Sequence, residues 1–360
     1  MKKIATILGA RPQFVKAAVL SRIIKKHNEL QEILVHTGQH YDENMSSVFF
    51  EEMQIPKPTY NLNINGLNHG AMTGQMMEKI EEVLLAEKPE VVVVYGDTNS
   101  TIAGALVAKK LHIKVVHIEA GLRSFNMSMP EEINRILTDR ISDLLCCPTN
   151  ASISNLEKEG FNNLPIQIDK TGDIMKDAVE FYSIISSAKS QIINELNLKN
   201  NQFVLATIHR QENTDDENKL KEIFVALDKV HQEKQVVLPL HPRTKKKLDE
   251  FGITTNITLI NPVGYFDMLE LLKNCSLVIT DSGGLQKEAF FNKKHCVIVR
   301  EETEWIELVE NNFAEIAGSK KEKIVNAFTK FENSNISFAK ELYGNKVGET
   351  IYQSIKNLIS

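Results

Sequence analysis

The sequence predicts an α/β fold made of two doubly wound, Rossmann-like domains that face a cleft. Short apolar segments rich in β-branched residues alternate with longer stretches in which apolar residues recur every three or four positions. This alternation is typical of parallel sheets covered by helices, and it occurs twice along the chain. The length of 360 residues also suits two domains, since one domain commonly has about 150 residues.

Each half of the chain supplies its own set of elements. Strands are predicted at 4–8, 33–36, 91–95, 115–118 and 144–147 in the first half and at 203–207, 236–240, 257–260, 277–280 and 296–299 in the second. Helices are predicted at 72–85, 101–111, 219–230, 268–272, 284–291 and 346–359. We predict an N-terminal domain at 1–170, a C-terminal domain at 171–345 and a final helix at 346–360 that could pack back on the N-terminal domain.

Composition and charge exclude several classes of protein. The chain is 42% hydrophobic and 25% charged, a balance that excludes intrinsic disorder and a small disulfide scaffold. Its net charge of −5 lacks the basic character of a nucleic-acid-binding domain. The four cysteines have no paired C-x-x-C spacing, and no apolar run approaches the roughly 18 residues of a membrane span. We therefore expect a cytoplasmic protein with reduced thiols and without nucleic-acid or membrane partners.

Polar residues follow the predicted strands at their carboxyl ends, where open α/β sheets bind ligands. Eight strand ends from both halves carry such residues, so the sequence predicts a polar cleft between the domains. These ends are Gly9-Ala10-Arg11, Gly38-Gln39-His40, Gly96-Asp97-Thr98, residues 119–123, His209-Arg210, His241-Pro242-Arg243, residues 281–284 and Arg300-Glu301.

Residues 280–284 are the best candidate for a phosphate-binding loop. They follow a strand and open a helix, so backbone N–H groups and the positive helix end could bind an anion. Alternatively, Asp281 or Ser282 only caps the helix. The cations that could complement a diphosphate are Arg11, Lys16, Arg210 and Arg300.

Carboxylates and a histidine at the strand ends indicate proton transfer. The candidates are Asp97, Glu119, Glu131 and His209. Two of them have a structural alternative, Asp97 as a turn or helix-cap residue and Glu131 as a first-turn helix carboxylate after a proline. Among the other histidines, His117 is interpreted as a core residue within a strand, whereas His36, His40, His69 and His241 could line the cleft.

Several cofactor and metal motifs are absent from the sequence. It contains no G-x-G-x-x-G, Walker A, H-E-x-x-H or G-x-S-x-G motif and no tight cluster of histidines or carboxylates. The first of these motifs is the usual signature of nicotinamide binding, and the third is a zinc signature. The sequence therefore predicts neither a redox cofactor nor an essential metal ion.

Six motifs in order along the chain resemble those of the non-hydrolysing UDP-N-acetylglucosamine 2-epimerase family, whose fold is similar to that of the two-domain glycosyltransferase B class. The resemblance runs from about residue 3 to the C-terminal helix. The motifs are G-A-R-P at 9–12, Y-G-D-T at 95–98, H-I-E-A-G-L-R at 117–123, M-P-E-E-I-N-R at 129–135, H-R-Q-E-N at 209–213 and T-D-S-G-G at 280–284.

The resemblance implies that UDP is eliminated across C1 and C2 of the sugar, giving a bound 2-acetamidoglucal, and then adds back as a proton reaches the other face of C2. It implies acid/base roles for Asp97, Glu119 and Glu131 and a role for His209 in the departure of UDP. Arg11 and Lys16 would hold phosphate or sugar, residues 282–284 the diphosphate and Glu288 the ribose. Which carboxylate takes the C2 proton stays open. The full substrate-binding set is Arg11, Lys16, Arg123, Arg135, Arg210, His241, Ser282, Gly283, Gly284, Glu288 and Arg300.

One segment departs from the family pattern. Members that act on UDP-N-acetylglucosamine usually carry T-E-R-P-E late in the chain, where this chain has T-E-W-I-E at 303–307. Together with R-P-Q-F at 11–14 and E-A-F-F at 288–291, this resembles the subgroup that converts UDP-2,3-diacetamido-2,3-dideoxy-D-glucuronate to its manno epimer. The C6 carboxylate of that sugar needs a cation, for which Arg300, Arg123 and Arg210 are the candidates.

Three other functions stay open at this point. The first is the same reaction on UDP-N-acetylglucosamine, giving UDP-N-acetylmannosamine. The second is a glycosyltransferase of the B class, which would need an acceptor and would release UDP. The third is a non-catalytic sugar-nucleotide sensor, which the presence of the carboxylates and His209 disfavours. The resemblance also implies a homodimer.

Overall fold

The chain folds into two compact units, Met1–Ala178 with Glu341–Ser360 and Val179–Lys340, which we call the N-unit and the C-unit. The computed structural model describes residues 1–39, 50 and 53–360, so His40 lies outside the described residues. Each unit contains one parallel sheet with helices packed on it. This confirms the predicted fold class of two doubly wound α/β domains.

The N-unit sheet has the strand order β3-β2-β1-β4-β5-β6-β7 among the described residues. Its strands are β1 (Lys2–Leu8), β2 (Leu30–His36), β3 (Tyr60–Asn61), β4 (Val91–Tyr95), β5 (Lys114–Ile118), β6 (Leu144–Cys147) and β7 (Gln167–Lys170). Its helices are α1 (Arg11–His27), α2 (His69–Glu87), α3 (Asn99–Lys110), α4 (Pro130–Ile141), α5 (Asn150–Lys158) and, at the end of the chain, α15 (Val347–Ile359), with a 3-10 turn at Phe161–Asn163.

The C-unit sheet has the strand order β10-β9-β8-β11-β12-β13. Its strands are β8 (Phe203–Thr207), β9 (Gln235–Pro239), β10 (Thr258–Ile260), β11 (Leu277–Thr280), β12 (His295–Ile298) and β13 (Ala314–Ile316). The helices from the unit boundary onward are α6 (Ile174–Lys189), α7 (Ile192–Glu195), α8 (Gln211–Thr214), α9 (Glu217–Glu233), α10 (Pro242–Phe251), α11 (Tyr265–Asn274), α12 (Gly283–Phe291), α13 (Ile306–Glu310) and α14 (Lys321–Glu332).

Strand order reverses at one point in each sheet. In the N-unit, β1 pairs with β2 on one side and with β4 on the other. In the C-unit, β8 lies in the same way between β9 and β11. Within each sheet, the loops that follow the two strands at this point, β1 and β4 or β8 and β11, therefore turn to opposite faces. They leave a crevice at the carboxyl ends of the strands, where doubly wound folds bind ligands.

Apolar burial holds these layers together. The four valines at the start of β4 are fully buried, as expected for a parallel strand covered on both faces. Helix α9 begins at Asp216, whose carboxylate accepts a hydrogen bond from the Lys219 N–H at 3.1 Å, and it buries Leu220, Ile223, Phe224 and Leu227. Burial of each such side chain stabilises the unit by about 2 kcal/mol. No helix in the described part of the chain is both long and apolar enough to cross a bilayer.

Three short edge strands were not predicted from the sequence. They are β3, β7 and β13, which have two to four residues each and lie at the edges of their sheets. Most of their residues are only partly buried, so they lack the continuous apolar run that marked the central strands. Short, polar edge strands also limit unwanted pairing with other chains.

The division between the units falls inside α6, between residues 178 and 179, and again between residues 340 and 341. The sequence suggested 170/171 and 345/346. The first division falls within one continuous helix of 16 residues, so no loop marks it, whereas the second falls in the irregular segment between α14 and α15.

Helix α15 packs on α1 and belongs to the N-unit. The His27 ring stacks on the Tyr352 ring with centroids 4.6 Å apart. At the end of α15, the ammonium groups of Lys2 and Lys114 donate to the carbonyl oxygens of Ile359 and Leu358. These carbonyls have no partner within the helix, and cations at a helix C-terminus are stabilising.

Gly172 lies between β7 and α6, where its backbone packs against Tyr343 in the segment that leads into α15. Its φ is +92°, and a Cβ there would lie 2.3 Å from the Tyr343 carbonyl oxygen. We predict that Gly172→Ala lowers the free energy of unfolding by about 3 kcal/mol, because backbone strain and a backbone clash act together. Urea unfolding of the purified protein measures this loss.

Gly252 provides the control for this prediction. Its φ of +63° carries the same left-handed strain, but no atom lies within 4 Å of a Cβ built there. Gly252→Ala should therefore lose only about 1 kcal/mol. Equal losses in the two variants would contradict the proposed clash at Tyr343.

Candidate active site

In the N-unit, the loops after β1 and β4 are joined by one buried amide. The Gln13 Oε1 atom accepts hydrogen bonds from the backbone N–H groups of Gly9 at 2.8 Å and Ala10 at 3.1 Å. Its Nε2 donates to the carbonyl oxygen of Tyr95 at 2.7 Å and to the Thr98 hydroxyl at 3.1 Å. Gln13 therefore fixes the two loops that flank the switch point of the sheet.

Glu119 follows β5 in an unusual backbone conformation. Its φ is +72°, in the left-handed region that costs a non-glycine residue about 1–2 kcal/mol. The backbone N–H groups of Glu119 and Ala120 both donate to the Cys146 carbonyl oxygen, at 3.2 and 3.1 Å. The mostly buried Glu119 carboxylate forms an ion pair with the Lys16 ammonium, which comes from α1. The structure therefore brings together two residues that the sequence predicted for the site.

Asp97 follows β4 and is held by helix α4. Its carboxylate pairs with the Arg135 guanidinium, and its carbonyl oxygen accepts a hydrogen bond from Asn134 Nδ2 at 3.0 Å. The alternative role as a helix cap is wrong, because the N-cap of α3 is Thr98, whose hydroxyl accepts from the Thr101 N–H. Arg135, predicted to bind substrate, instead contacts two carboxylates of the protein, those of Asp97 and Glu132.

Glu131 and Glu132 are neighbours in the first turn of α4 with opposite environments. Glu131 is exposed, and its carboxylate forms no hydrogen bond with any residue the structure describes. Glu132 is fully buried and hydrogen-bonded to the loop at Ser124 and Phe125. Thus Glu131 keeps an accessible carboxylate, while the adjacent residue has an internal role that the sequence reasoning missed. The spacing of three residues between Glu132 and Arg135 was the available signal.

His117 and Arg123 belong to a buried network rather than to a ligand site. The His117 ring bonds to Asp139 through Nδ1 and to the Gly96 carbonyl oxygen through Nε2, each at 2.7 Å, as expected for a core histidine. Arg123 donates to Asp139 through Nη1 and to both oxygens of Glu159. Its side chain is fully buried, so a substrate does not reach its guanidinium. We therefore correct the assignment of Arg123 as a substrate-binding cation.

In the C-unit, the buried Asp281 carboxylate organises the loop after β8. It accepts hydrogen bonds from the backbone N–H groups of His209 at 3.0 Å and Arg210 at 2.9 Å, and from Asn213 Nδ2 at 3.2 Å. Asp281 therefore does not cap α12. The N-cap residue of α12 is Ser282, and its side chain makes no capping bond, which leaves the first N–H groups of the helix for another partner.

His209 lies with its Nδ1 atom 3.2 Å from Asp281 Oδ1. Burial lowers the pKa of His209 below its usual 6.5; Asp281 acts in the opposite direction, and Arg210 and His241 lower the pKa further. A neutral imidazole ring keeps one nitrogen lone pair available to accept a proton. The exposed His241 ring lies nearby, with ring centroids 5.7 Å apart.

Two arginines and one glutamate lie beside the amino end of α12. A Cβ built on Gly283 would lie 3.5 Å from Glu304 Oε2, 3.7 Å from Arg300 Nη1 and 4.0 Å from Arg210 Nη2, and nothing lies within 4 Å of the same point on Gly284. Arg300 is almost fully buried and makes two hydrogen bonds, of 3.0 and 3.1 Å, with Glu304. Two guanidinium groups beside open helix N–H groups form an arrangement suited to a phosphate. Glu288 lies half-buried farther along α12.

Trp305 stands where the family pattern has an arginine, and it is buried. Its ring packs against the Lys287 ammonium at 3.8 Å from the ring centroid. Sequence reasoning missed Lys287, because a lysine on a helix is usually a solvated charge. Among the residues that the structure describes, no group of three or more histidines, cysteines or carboxylates is placed to hold a metal ion.

The pKa of His209 gives a test of this anion-binding arrangement. We predict that the His209 ring titrates below pH 6.5 in the free protein, and that inorganic pyrophosphate raises its midpoint because a nearby anion favours the imidazolium. NMR titration of histidine-labelled protein, with the signal assigned by His209→Asn, measures both effects.

His295 is the internal control for that titration. Burial also lowers its pKa, but it begins β12 and stacks on Phe331 at 4.5 Å, so it lies at the amino end of the sheet. Its midpoint should not move with pyrophosphate. A His209 midpoint that is unchanged by pyrophosphate, or that lies above 6.5 in the free protein, would contradict the arrangement.

Comparison with known proteins agrees with this geometry. The family model described as UDP-N-acetylglucosamine 2-epimerase matches residues 22–356. The UDP-2,3-diacetamido-2,3-dideoxy-D-glucuronate 2-epimerase of Pseudomonas aeruginosa is 50% identical over 343 residues, covering 95% of this chain and 96% of that protein.

Solved structures extend the likeness to the whole fold. The UDP-GlcNAc 2-epimerase of Methanocaldococcus jannaschii, solved in complex with UDP-GlcNAc and UDP, is 42% identical and superposes with a TM-score of 0.88 over 99% of each chain. MurG of Acinetobacter baumannii, at 13% identity and a TM-score of 0.58 over 99% of this chain and 100% of its own, shares the fold alone. The predicted glycosyltransferase B-like architecture is thereby confirmed. On the family match and the 50% identity, the chain belongs to the UDP-N-acetylglucosamine 2-epimerase family.

Proposed function

We propose that this protein epimerises C2 of a UDP-2-acetamido sugar by elimination and re-addition of UDP, with UDP-2,3-diacetamido-2,3-dideoxy-D-glucuronate as the substrate. The observation that carries the proposal is the pattern of side chains at the carboxyl ends of the two sheets. Carboxylates follow β4 and β5 in the N-unit, and an anion-binding helix end follows β11 in the C-unit. Family membership supplies the reaction class.

The reaction needs two proton transfers on opposite faces of one carbon. A carboxylate removes the C2 proton while the C1–O bond breaks and its electron pair leaves with UDP. UDP then re-forms the C1–O bond as an acid delivers a proton to the other face of C2. The N-unit offers Glu119 beside Lys16, Asp97 beside Arg135, and the exposed Glu131 for these steps.

Departure of UDP develops negative charge on the diphosphate, and groups of the C-unit suit that charge. The N–H groups of Gly283 and Gly284, together with the Arg300 guanidinium beside them, would stabilise it, whereas the Ser282 N–H already donates to the Thr280 hydroxyl at 2.9 Å. His209, whose ring lies beside Asp281 just before this helix, is the proposed acid/base group for the departing UDP. Glu288, on the same helix, would accept hydrogen bonds from the ribose hydroxyls.

The choice of sugar rests on the cation available for a C6 carboxylate. Arg123 is excluded by its buried network, and Arg300, which donates two hydrogen bonds to Glu304, is assigned to the diphosphate. Arg210 is only half-buried, and we propose that it binds the sugar carboxylate.

UDP-N-acetylglucosamine is the second candidate substrate, since the M. jannaschii relative was solved with that sugar nucleotide. We further propose that the protein is cytoplasmic and forms a homodimer, and light scattering of the purified protein tests the dimer.

Proton NMR in deuterated water tests the reaction and the substrate together. With the diacetamido-glucuronate nucleotide we expect deuterium to enter C2 as a manno-configured UDP-sugar accumulates, and a kcat/KM at least about tenfold above that for UDP-N-acetylglucosamine. The reverse preference would favour the second candidate. Release of UDP without C2 exchange on either sugar would overturn the epimerase proposal.

Two single substitutions test the assigned residues. We predict that Glu119→Ala and His209→Ala each lower kcat by about 100-fold or more, because each removes a positioned acid/base group, while circular dichroism shows both proteins folded. Glu217→Ala, at an exposed site in the first turn of α9, is the control and should keep full activity. A variant that retains wild-type turnover would remove its residue from the mechanism.

A further inference from the structure

Glu132 is the most heavily hydrogen-bonded carboxylate near the carboxyl end of β4. It is 0% exposed. One oxygen accepts from the Ser124 N–H at 3.0 Å, the Ser124 hydroxyl at 3.0 Å and Arg135 Nη1 at 2.8 Å, and the other accepts from the Phe125 N–H at 2.9 Å. Burying a carboxylate costs several kcal/mol unless such partners replace water. This charge is therefore held at a defined place.

The guanidinium of Arg135 connects this buried carboxylate to Asp97. Its Nη1 atom bonds to Glu132, and its Nη2 atom bonds to Asp97. The Arg135 side chain is only 6% exposed, whereas that of Asp97 is 29% exposed. A planar guanidinium that contacts two carboxylates has little freedom to rotate. The position of Glu132 thus sets the direction from which Arg135 reaches Asp97.

The same carboxylate fixes the loop after β5. It holds the backbone of Ser124 and Phe125, and Phe125 has a φ of +59° and a side chain that is 72% exposed. This loop continues from Glu119 and leads into α4, which carries Glu131 in its first turn. One internal charge therefore links the segments that carry Asp97, Glu119 and Glu131.

We propose that Glu132 is a positioning residue of the epimerase reaction, acting on Asp97 through Arg135. The proposal rests on the proposed function for its kinetic readout. Glu132 does not reach substrate, because it is buried and its oxygens are occupied by protein donors. Its contribution is to hold the Asp97 carboxylate in the geometry that proton transfer requires.

The decisive variant is Glu132→Gln, which keeps the shape and removes the charge and one acceptor. We expect kcat for C2 epimerisation to fall about 10- to 100-fold, because a displacement of a reacting group by about 1 Å has effects of that size. KM should stay within about threefold, because Glu132 belongs to the N-unit and the groups proposed to bind the diphosphate belong to the C-unit. A purely structural role predicts lower stability with unchanged kcat of the folded fraction, and that result would overturn the proposal.

Glu159→Gln is the matched control. Glu159 is also a carboxylate bonded to a buried arginine of the N-unit, Arg123, at 2.7 and 2.8 Å, and it contacts neither Asp97 nor Arg135. Its substitution should leave kcat within about twofold of wild type. An equal loss in both variants would mean that any broken ion pair in the unit impairs turnover, and the assignment to Glu132 would fall.

A double-mutant cycle that combines Glu132→Gln with Arg135→Lys tests whether Glu132 acts on Asp97 through Arg135. Lysine keeps the charge but lacks the fork that contacts two carboxylates. If Glu132 acts through Arg135, the double variant should be no slower than the slower single variant. Additive losses of kcat in the double variant would overturn the claim that Glu132 acts through Arg135. If Glu132→Gln does not fold, Glu132→Asp replaces it, because aspartate keeps the buried charge but shortens the side chain. For Glu132→Asp, a kcat within about twofold of wild type would overturn the proposal.

A crystal structure of Glu132→Gln separates this inference from the proposed function. We expect the Asp97 carboxylate to leave its contact with Arg135, and an unchanged Asp97 would overturn the inference whatever the activity. Conversely, wild-type protein that shows no C2 exchange would overturn the proposed function, while the crystallographic readout would still decide the positioning role.

Discussion

The reversal of strand order beside β1 and β8 is the constraint on which the candidate site depends. At these points neighbouring loops turn to opposite faces, so polar groups at the strand ends are not covered by a crossing helix. In the N-unit this places the loop after β1, which leads into the helix that carries Lys16, beside the loop after β4, which carries Asp97. In the C-unit it brings His209 to the loop that opens α12. The same architecture thus serves two different chemical tasks, proton transfer and anion binding.

Three buried carboxylates hold these loops in place. Asp139, Glu132 and Asp281 are each 0% exposed and each accepts hydrogen bonds from backbone N–H groups. Each also contacts a side chain of the site or of its support. Removing one partner would leave a buried charge uncompensated, which is far more costly than losing a surface ion pair. The loops around the candidate site are therefore held more rigidly than their irregular backbone suggests.

The sequence predicted the central strands well and the edge strands poorly, for a physical reason. Strands β4 and β11 are continuous buried apolar runs, and their predicted bounds agree with the structure. The two residues of β3 carry no such pattern, because an edge strand is exposed on one side. Among the site residues, the sequence also could not show that the Arg123 side chain is internal. A strand-end arginine looks alike in sequence whether it faces a ligand or, as here, a buried aspartate.

By itself, the sequence determined the parallel α/β class, the motifs and the chemical types available at the strand ends, because these depend on local periodicity and on residue identity. Only the tertiary structure decided which charges neutralise each other. Arg300 pairs with Glu304, Arg135 with Asp97 and Glu132, and Lys287 packs on Trp305. Arg135 and Asp97, and likewise Lys287 and Trp305, are distant in sequence, whereas Arg300–Glu304 and Arg135–Glu132 have the spacing of many solvated ion pairs. Burial in the folded protein distinguishes these contacts from charges that face solvent or a ligand.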